Sequence, residues 1–539
     1  MHAGVAKATA LPLHLIAIIV SYIDDIADIA RVTRTSRLLY YMTLPQLYTK
    51  VHLHSYGDLR YVNGRPEGFG SGSPFMMALN GLVVKEHGKL VQEMRLWGKW
   101  REVGVEEFGL GRVPDNTMML NSLLRVAVDR MSKLETFSWE LDCKPLKTLY
   151  QGLAGKNTLT TLRLRFPSSK DPRPGVVIPP LPNLRAFSAY DIDPLCYPDD
   201  ISLMLLHSRK LTDLRLHFSP RMRQAAEPTL SLESYFGRCI VAGYKIKCKH
   251  FALQNFFGPN LIGLDSCFDI EQCHSTTFFD TFGGTLGSAR NKFIDDTWAM
   301  LKGDEQFYFK TIRCNEIAPQ HVSLLSRSSG LERIYFVNNR DCTPYSTPAS
   351  AGENGDPIFP SPTPSGDRES VVSLGKDYLY ALTRNHGTTM KHMLLKHQWA
   401  LSIEDLGDII RYCPNLEQLG VSLSLDTSGV LKLLMPFLTQ LKSVRILENE
   451  WLSEWRRTFG QQGMMEMMSY DLLRMGETKI KHISVGDVVY EITKGEMPLN
   501  RNGETVMGRE LIEVDRKEVQ HIEIWGMDSL DIDADPIVT

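Results

Sequence analysis

The feature that most constrains this chain is a recurring phrase: an apolar residue, two of any kind, an apolar residue, one of any kind, and a third apolar residue. It stands at Val91/Met94/Leu96, Leu134/Phe137/Trp139, Leu159/Leu162/Leu164, Leu184/Phe187/Ala189, Leu211/Leu214/Leu216 and Leu261/Leu264/Ser266. It returns at Phe309/Ile312/Cys314, Leu331/Ile334/Phe336, Met390/Met393/Leu395, Leu416/Leu419/Val421, Leu441/Val444/Ile446, Ile480/Ile483/Val485 and Val519/Ile522/Ile524. The starts at 134, 159 and 184 are 25 apart, and those at 390, 416 and 441 are 26 and 25 apart. Amphipathic stretches fill the intervals, among them Met119 to Arg130, Leu146 to Leu153, Ile201 to Leu206, His321 to Ser326, Tyr378 to Arg384, Ile403 to Tyr412 and Val430 to Leu438. A strand and a helix alternating at this pitch predict an α/β chain with a parallel sheet, because parallel neighbours need a crossover between them.

The 539 residues exceed one ordinary domain but suit a repeat array, which grows by adding copies. A formal charge of −3 excludes a strongly basic nucleic-acid binder, and 43% apolar with 23% charged residues excludes gross disorder. The nine cysteines form no C-x-x-C pair, so free thiols are expected rather than a disulfide framework or a zinc site. No Asn-x-Ser/Thr acceptor occurs, which together with the thiols favours cytoplasm or nucleus. The apolar run Leu11 to Val20 is a poor secretory signal: Pro12 and His14 interrupt it, and Asp24-Asp25 follow where a cleavage site belongs. No run reaches the roughly 20 apolar residues of a membrane span, so no membrane partner is expected.

Before the repeats, Leu15, Ile16, Ile19, Val20 and Ile23 recur at helical spacing after Leu11-Pro12. Asp24-Asp25 break the pattern, Ile26, Ile29 and Val32 resume it, and Leu38, Leu39 and Leu44-Pro45 close a small three-helix packet. This order, carried by Leu11, Pro12, Leu15, Ile16, Ile19, Tyr22, Ile23, Asp24, Ile29, Val32, Arg34, Arg37 and Pro45, resembles the F-box. A plain helical cap on a solenoid is the other reading of the same residues. The phrases between 85 and 527 resemble the leucine-rich-repeat horseshoe, although the consensus Asn that ends a phrase appears only at Asn339 and Asn449. A conventional α/β enzyme also alternates strand and helix; the Leu-x-x-Leu-x-Leu phrase favours the solenoid.

Together the chain resembles fungal F-box proteins with degenerate leucine-rich repeats. The resemblance implies a substrate-recognition adaptor of a Skp1–cullin–F-box ubiquitin ligase, without catalysis of its own. A Skp1-like protein is then expected on Leu11, Pro12, Leu15, Ile16, Ile19, Val20, Ile23 and Val32. The alternative is a repeat scaffold unconnected with ubiquitination. Positions alternating with the apolar ones face the other side of each strand, and there Arg163, Arg165, Tyr190, Arg215, His217, Arg333 and Tyr335 are expected to receive an acidic or phosphorylated protein segment.

The expected organisation is a helical module at 8–53, a connector at 54–84, repeats at 85–340, a disordered insertion at 341–370, repeats at 371–527 and an acidic tail at 528–539. The insertion carries six prolines in 30 residues, with Thr343-Pro344, Thr347-Pro348, Ser361-Pro362 and Thr363-Pro364 as candidate phosphosites. Other apparent sites lapse. Gly68 to Gly72 is followed by Ser73-Pro74 where a third phosphate-loop glycine is required, and Asp531, Asp533 and Asp535 lack the glycine of a calcium loop. Cys267, Cys273 and His274 lack metal-site spacing, and Met464 to Met468 suit a core. No metal, cofactor or catalytic residue is expected; a hydrolase built on scattered His and Asp has no supporting motif.

Overall fold

The structure, a computed structural model, describes residues 11–68, 73–167, 175–193, 200–219, 232–256, 267–279, 308–317, 319–338, 365–424, 436–474, 479–501 and 504–535, with residues 221, 281 and 434 besides. The architecture is mixed α/β, built on a large, mostly parallel sheet that does not close into a barrel. The chain divides into two compact units, residues 1–211 with 234–238, and residues 212–233 with 239–539.

The first unit opens on helices α1 (Leu13–Ser21), α2 (Ile26–Val32) and α3 (Arg37–Thr49). Its strands are β1 (Lys50–Ser55), the hairpin β2 (Arg60–Val62) and β3 (Arg65–Glu67), β4 (Glu93–Gly98), β5 (Thr136–Leu141), β6 (Thr161–Arg165) and β7 (Ala186–Ile192). β1, β4, β5, β6 and β7 lie side by side in that order, all parallel. The register makes the phrase into a ladder: Met94, Phe137, Leu162 and Phe187 form one row and Leu96, Trp139, Leu164 and Ala189 the next, every one without exposed surface. Helices Asp115–Arg130 and Lys147–Ala154 close the apolar side with Leu120, Leu124, Leu149 and Leu153. Strand β1 corrects the expected boundary near 53: Val51 and Leu53 alternate and align with Met94 and Leu96, so the sheet begins inside the segment read as helical module and connector. The rest of that connector holds the hairpin and helix Pro74–Val84.

The second unit carries β8 (Asp213–Phe218), β9 (His250–Gln254), β10 (Ser275–Phe279), β11 (Thr311–Cys314), β12 (Arg333–Phe336), β13 (His392–Leu394), β14 (Ala400–Leu401), β15 (Gln418–Leu423), β16 (Ser443–Ile446) and β17 (His482–Val485). These pair in parallel, and β18 (Val488–Arg501) with β19 (Glu504–Val514) closes the edge as an antiparallel hairpin. One row across the sheet reads Leu214, Phe251, Thr276, Ile312, Ile334, Met393, Leu419, Val444 and Ile483. Asn449 locks neighbouring turns: its Nδ2 donates to Ser422 Oγ (2.7 Å) and the Leu423 carbonyl (2.8 Å). After β12 the same service comes from Asn338, whose Nδ2 donates to the carbonyls of Phe336 and Leu395; Asn339 lies outside the described residues.

Several expectations change here. β9 and β10 occupy intervals where no phrase was read, while Leu261/Leu264/Ser266 lies outside the described residues, as does all but Leu434 and residues 436–438 of the stretch Val430 to Leu438. Residues 341–364 of the expected insertion, with its four phosphosites, also lie outside them; 365–370 begin a helix, Ser365–Ala381. Helix Glu450–Arg474, kinked at Gly460 (φ +67°), fills the 39-residue interval before Ile480, and the hairpin fills the next. The Val519/Ile522/Ile524 phrase is not a strand: β18 has already taken the edge of β17, and the phrase ends in a helical turn, Glu523–Gly526. Residues 528–535 are no free tail but are packed against the sheet, as described next.

Candidate interaction surfaces

Helix α1 starts directly after Pro12, whose fixed φ suits a helix entrance, and α2 is capped by Asp25, whose carboxylate accepts from the backbone N–H of Ala27 (2.6 Å) and Asp28 (3.2 Å). Ser36 caps α3 through Leu39 N (3.1 Å). Val20 of α1, Ile29 of α2 and Leu44 of α3 are buried in the packet. The expected partner-binding set therefore divides. Leu11, Pro12, Leu15 and Ile19 are exposed, whereas Val20 is 6% exposed and Ile16, Ile23 and Val32 are half-buried. Ile18 and Tyr22 (80% exposed) complete the outer stripe of α1, and Ile26 (68%) stands exposed at the start of α2; the sequence reading selected none of the three for docking. Positions 15, 19 and 22 and positions 16, 20 and 23 are two stripes of one helical period, and both are apolar; sequence spacing alone cannot say which faces inward, and Ile26 opens α2 beyond the break at Asp24-Asp25.

On the polar face of the first unit's sheet, one row reads His52, Arg95, Ser138, Arg163 and Ser188; beside it His54, Trp97 and Glu140 align on β1, β4 and β5, and Arg165 with Tyr190 on β6 and β7. Arg95 is held by Glu140 in a two-pronged contact, Nε to Oε1 at 2.9 Å and Nη2 to Oε2 at 2.6 Å. Arg165 faces Asp191 at 3.5 Å, and Tyr190 is buried. Arg163 is different: it lies opposite Ser138 and Ser188, no carboxylate pairs with it among the described residues, and its Nε and the Ser138 hydroxyl are both shielded from solvent without a hydrogen-bond partner. The sequence reading also missed a cleft at the end of β1, where His54 stacks on Trp97 (3.6 Å between centroids) and Arg60 lies 3.7 Å over the Tyr56 ring, beside Pro74 and Phe75.

The corresponding face of the second unit carries Arg215, Ala252, Thr277, Arg313, Tyr335, Leu394, Gly420 and Arg445 in one row. It is covered by the chain's own segment Val519–Asp535. Val519, Ile522, Ile524 and Trp525 pack on Tyr335, Leu394, Leu447 and Val489 in one apolar cluster. Arg445 Nη1 donates to the Ile524 carbonyl (2.7 Å) and Nη2 meets Asp528 (2.6 Å). Arg313 donates to the carbonyls of Met527, Ser529 and Asp531 and to Asp535 Oδ2 (2.9 Å), to which Thr277 Oγ1 also donates (2.8 Å). Arg215 grips Asp213 with two bonds and donates to the Ile532 carbonyl (2.7 Å). Burial pushes the Asp213 carboxyl up, but the bonds from Arg215 and His250 outweigh it and hold it well below the usual range; for Asp535, Arg313 and His250 likewise outweigh burial.

The expected capture residues of this unit are thus not an open surface. Arg215 is 1% exposed, His217 and Tyr335 are buried, and Arg333 is half-buried. A guanidinium in such a place needs compensating acceptors, and the local sequence around it shows only Asp213; the others lie more than 200 residues away for Arg313 and 317 away for Arg215.

No family model matches the chain, and no curated protein matches it either. The cysteines among the described residues are buried, and burial pushes Cys273, Cys314 and Cys413 up to about 12, where a thiol is a poor nucleophile. Among the described residues no group of His, Cys, Asp and Glu is arranged to hold a metal, and no helix is long and apolar enough to cross a membrane.

Proposed function

We propose that this protein is a substrate-recognition adaptor of the Skp1–cullin–F-box type: α1 to α3 act as an F-box that docks a Skp1-like protein, and the sheet that follows acts as a leucine-rich-repeat horseshoe that captures a target. The observation that carries the reading is the exposed apolar stripe Leu15, Ile18, Ile19 and Tyr22 of α1, with exposed Ile26 at the start of α2, on a packet too small to be expected to stand alone. Scattered exposed apolar residues need no explanation, but Leu15, Ile18, Ile19 and Tyr22 recur at the three- and four-residue spacing of one helix face, with Ile26 at the start of the next helix, and such a face suits a partner. Arg163 is the residue of the capture face best suited to a carboxylate or phosphate, since its charge is not already spent on a neighbour.

The test is a pull-down of the full chain with a Skp1-like protein, beside Ile19→Asp/Tyr22→Asp. Both positions are exposed, so the variant keeps its fold while the partner is lost. Equal binding by wild type and variant rejects docking on this stripe, and no binding by the folded wild type leaves a repeat scaffold unconnected with ubiquitination.

A further inference from the structure

The segment Val519–Asp535 is held in two unlike ways. Its first part is anchored by side chains in the apolar cluster around Trp525, which can leave it only by re-exposing apolar surface to water. Its second part, Ser529–Asp535, offers mainly acceptors: carbonyls and the Asp535 carboxylate to Arg215, Thr277 and Arg313, with Ile532 buried beside them. His250 lies 3.2 Å from Asp213 and 3.7 Å from Asp535, between the two acids. A buried ion pair gives little net stability, because dehydration offsets the attraction, yet stranding one partner is costly. An incoming segment that presents the same acceptors to the same guanidiniums strands nothing, so exchange of this second part is close to balanced.

We propose that the sheet face lined by Arg215, Thr277 and Arg313 is a receptor for acidic peptide segments, with Ser529–Asp535 as its resident occupant and an acidic, aliphatic segment of a partner protein as the competing one. The resident pattern, Asp531-Ile532-Asp533-Ala534-Asp535, states the chemistry: carboxylates on alternate residues with a buried aliphatic between them. The inference does not depend on what α1 docks.

The test uses the full chain and a fluorescein-labelled peptide copying residues 527–535. A full-length variant with Asp533→Asn and Asp535→Asn weakens the resident segment, and a second variant adds Arg313→Gln. Expected are at least tenfold tighter peptide binding by the first variant than by wild type, loss of that gain in the second, and faster hydrogen exchange in the wild type for amides of 529–535 than for those of β8 and β11. If the weakened chain opens its segment and still takes no peptide, the proposal is overturned. It is equally overturned if 529–535 exchange no faster than the strands beneath them, a comparison made on wild type and therefore decisive even where a variant does not fold. Neither outcome bears on the pull-down with the Skp1-like protein.

Discussion

The polar faces of the two units are built from the same alternation and carry the same residue types, yet they settle their charge differently. In the first unit, arginine is balanced by acids on the next strand, as in Arg95 with Glu140, or is left unpaired, as in Arg163. In the second unit Arg215, Arg313 and Arg445 are buried, and apart from Asp213, which two bonds join to Arg215, the acceptors named for them arrive on a distant segment of the chain. A strand pattern therefore tells which residues share a face but not whether that face meets solvent.

Replacing Arg313 with Met is expected to have the largest effect, stranding Asp535 and the carbonyls of Met527 and Asp531, at a cost of about 3–5 kcal/mol in urea unfolding. Trp525→Ala is expected to cost about as much by emptying the anchor of the segment, whereas Trp97→Ala on the first unit's face, where the ring is half-exposed to solvent, is expected to stay within about 1 kcal/mol. Equal losses from the two tryptophans break the comparison.

Acid provides the next test. Burial pushes His321 down to about 3 and His392 to about 4, so both are neutral in the fold, whereas the unfolded chain binds their protons below about 6.5. Their contribution is complete at pH 7 and is lost as pH falls below 6.5; for His321 that is about 2 kcal/mol by pH 5. Asp213 and Asp535, held below their ordinary range, contribute stability that is present above about 4 and lost below it, while Asp531, raised by burial, acts in the opposite sense. Urea melts at pH 7 and 5 measure the first effect, and His321→Gln should remove the share that belongs to His321 and leave that of His392. The smallest effects belong to the first unit's face: Glu140→Gln is expected to cost under about 1 kcal/mol, because Arg95 is partly exposed. Arg163→Gln is expected to leave the melt within about 0.5 kcal/mol while weakening capture of the target.

Much of the frame was legible. The strand rows through Phe137, Leu162 and Phe187, or through Ile334, Met393 and Leu419, follow from the phrase itself, and helix Ile403–Tyr412 has the bounds its periodicity predicts. β1 was hidden because Val51 and Leu53 offer too short an alternation to stand against the helical residues before them. The outward stripe of α1 was hidden because both of its stripes are apolar; in the fold Val20 is buried, and Gln46 of α3 donates to its carbonyl.

The sequence by itself determined the period, the apolar rows and the side of each strand on which arginine and aspartate would lie, since the two-residue repeat of a strand is local geometry. Only the tertiary structure decided that Val519/Ile522/Ile524 would leave the sheet and pack on top of it, with Asp528 and Asp535 arriving at Arg445 and Arg313. The same apolar spacing satisfies a strand or an anchor, and the choice depends on whether a neighbouring strand still has free backbone groups to offer; the hairpin after β17 had already taken them.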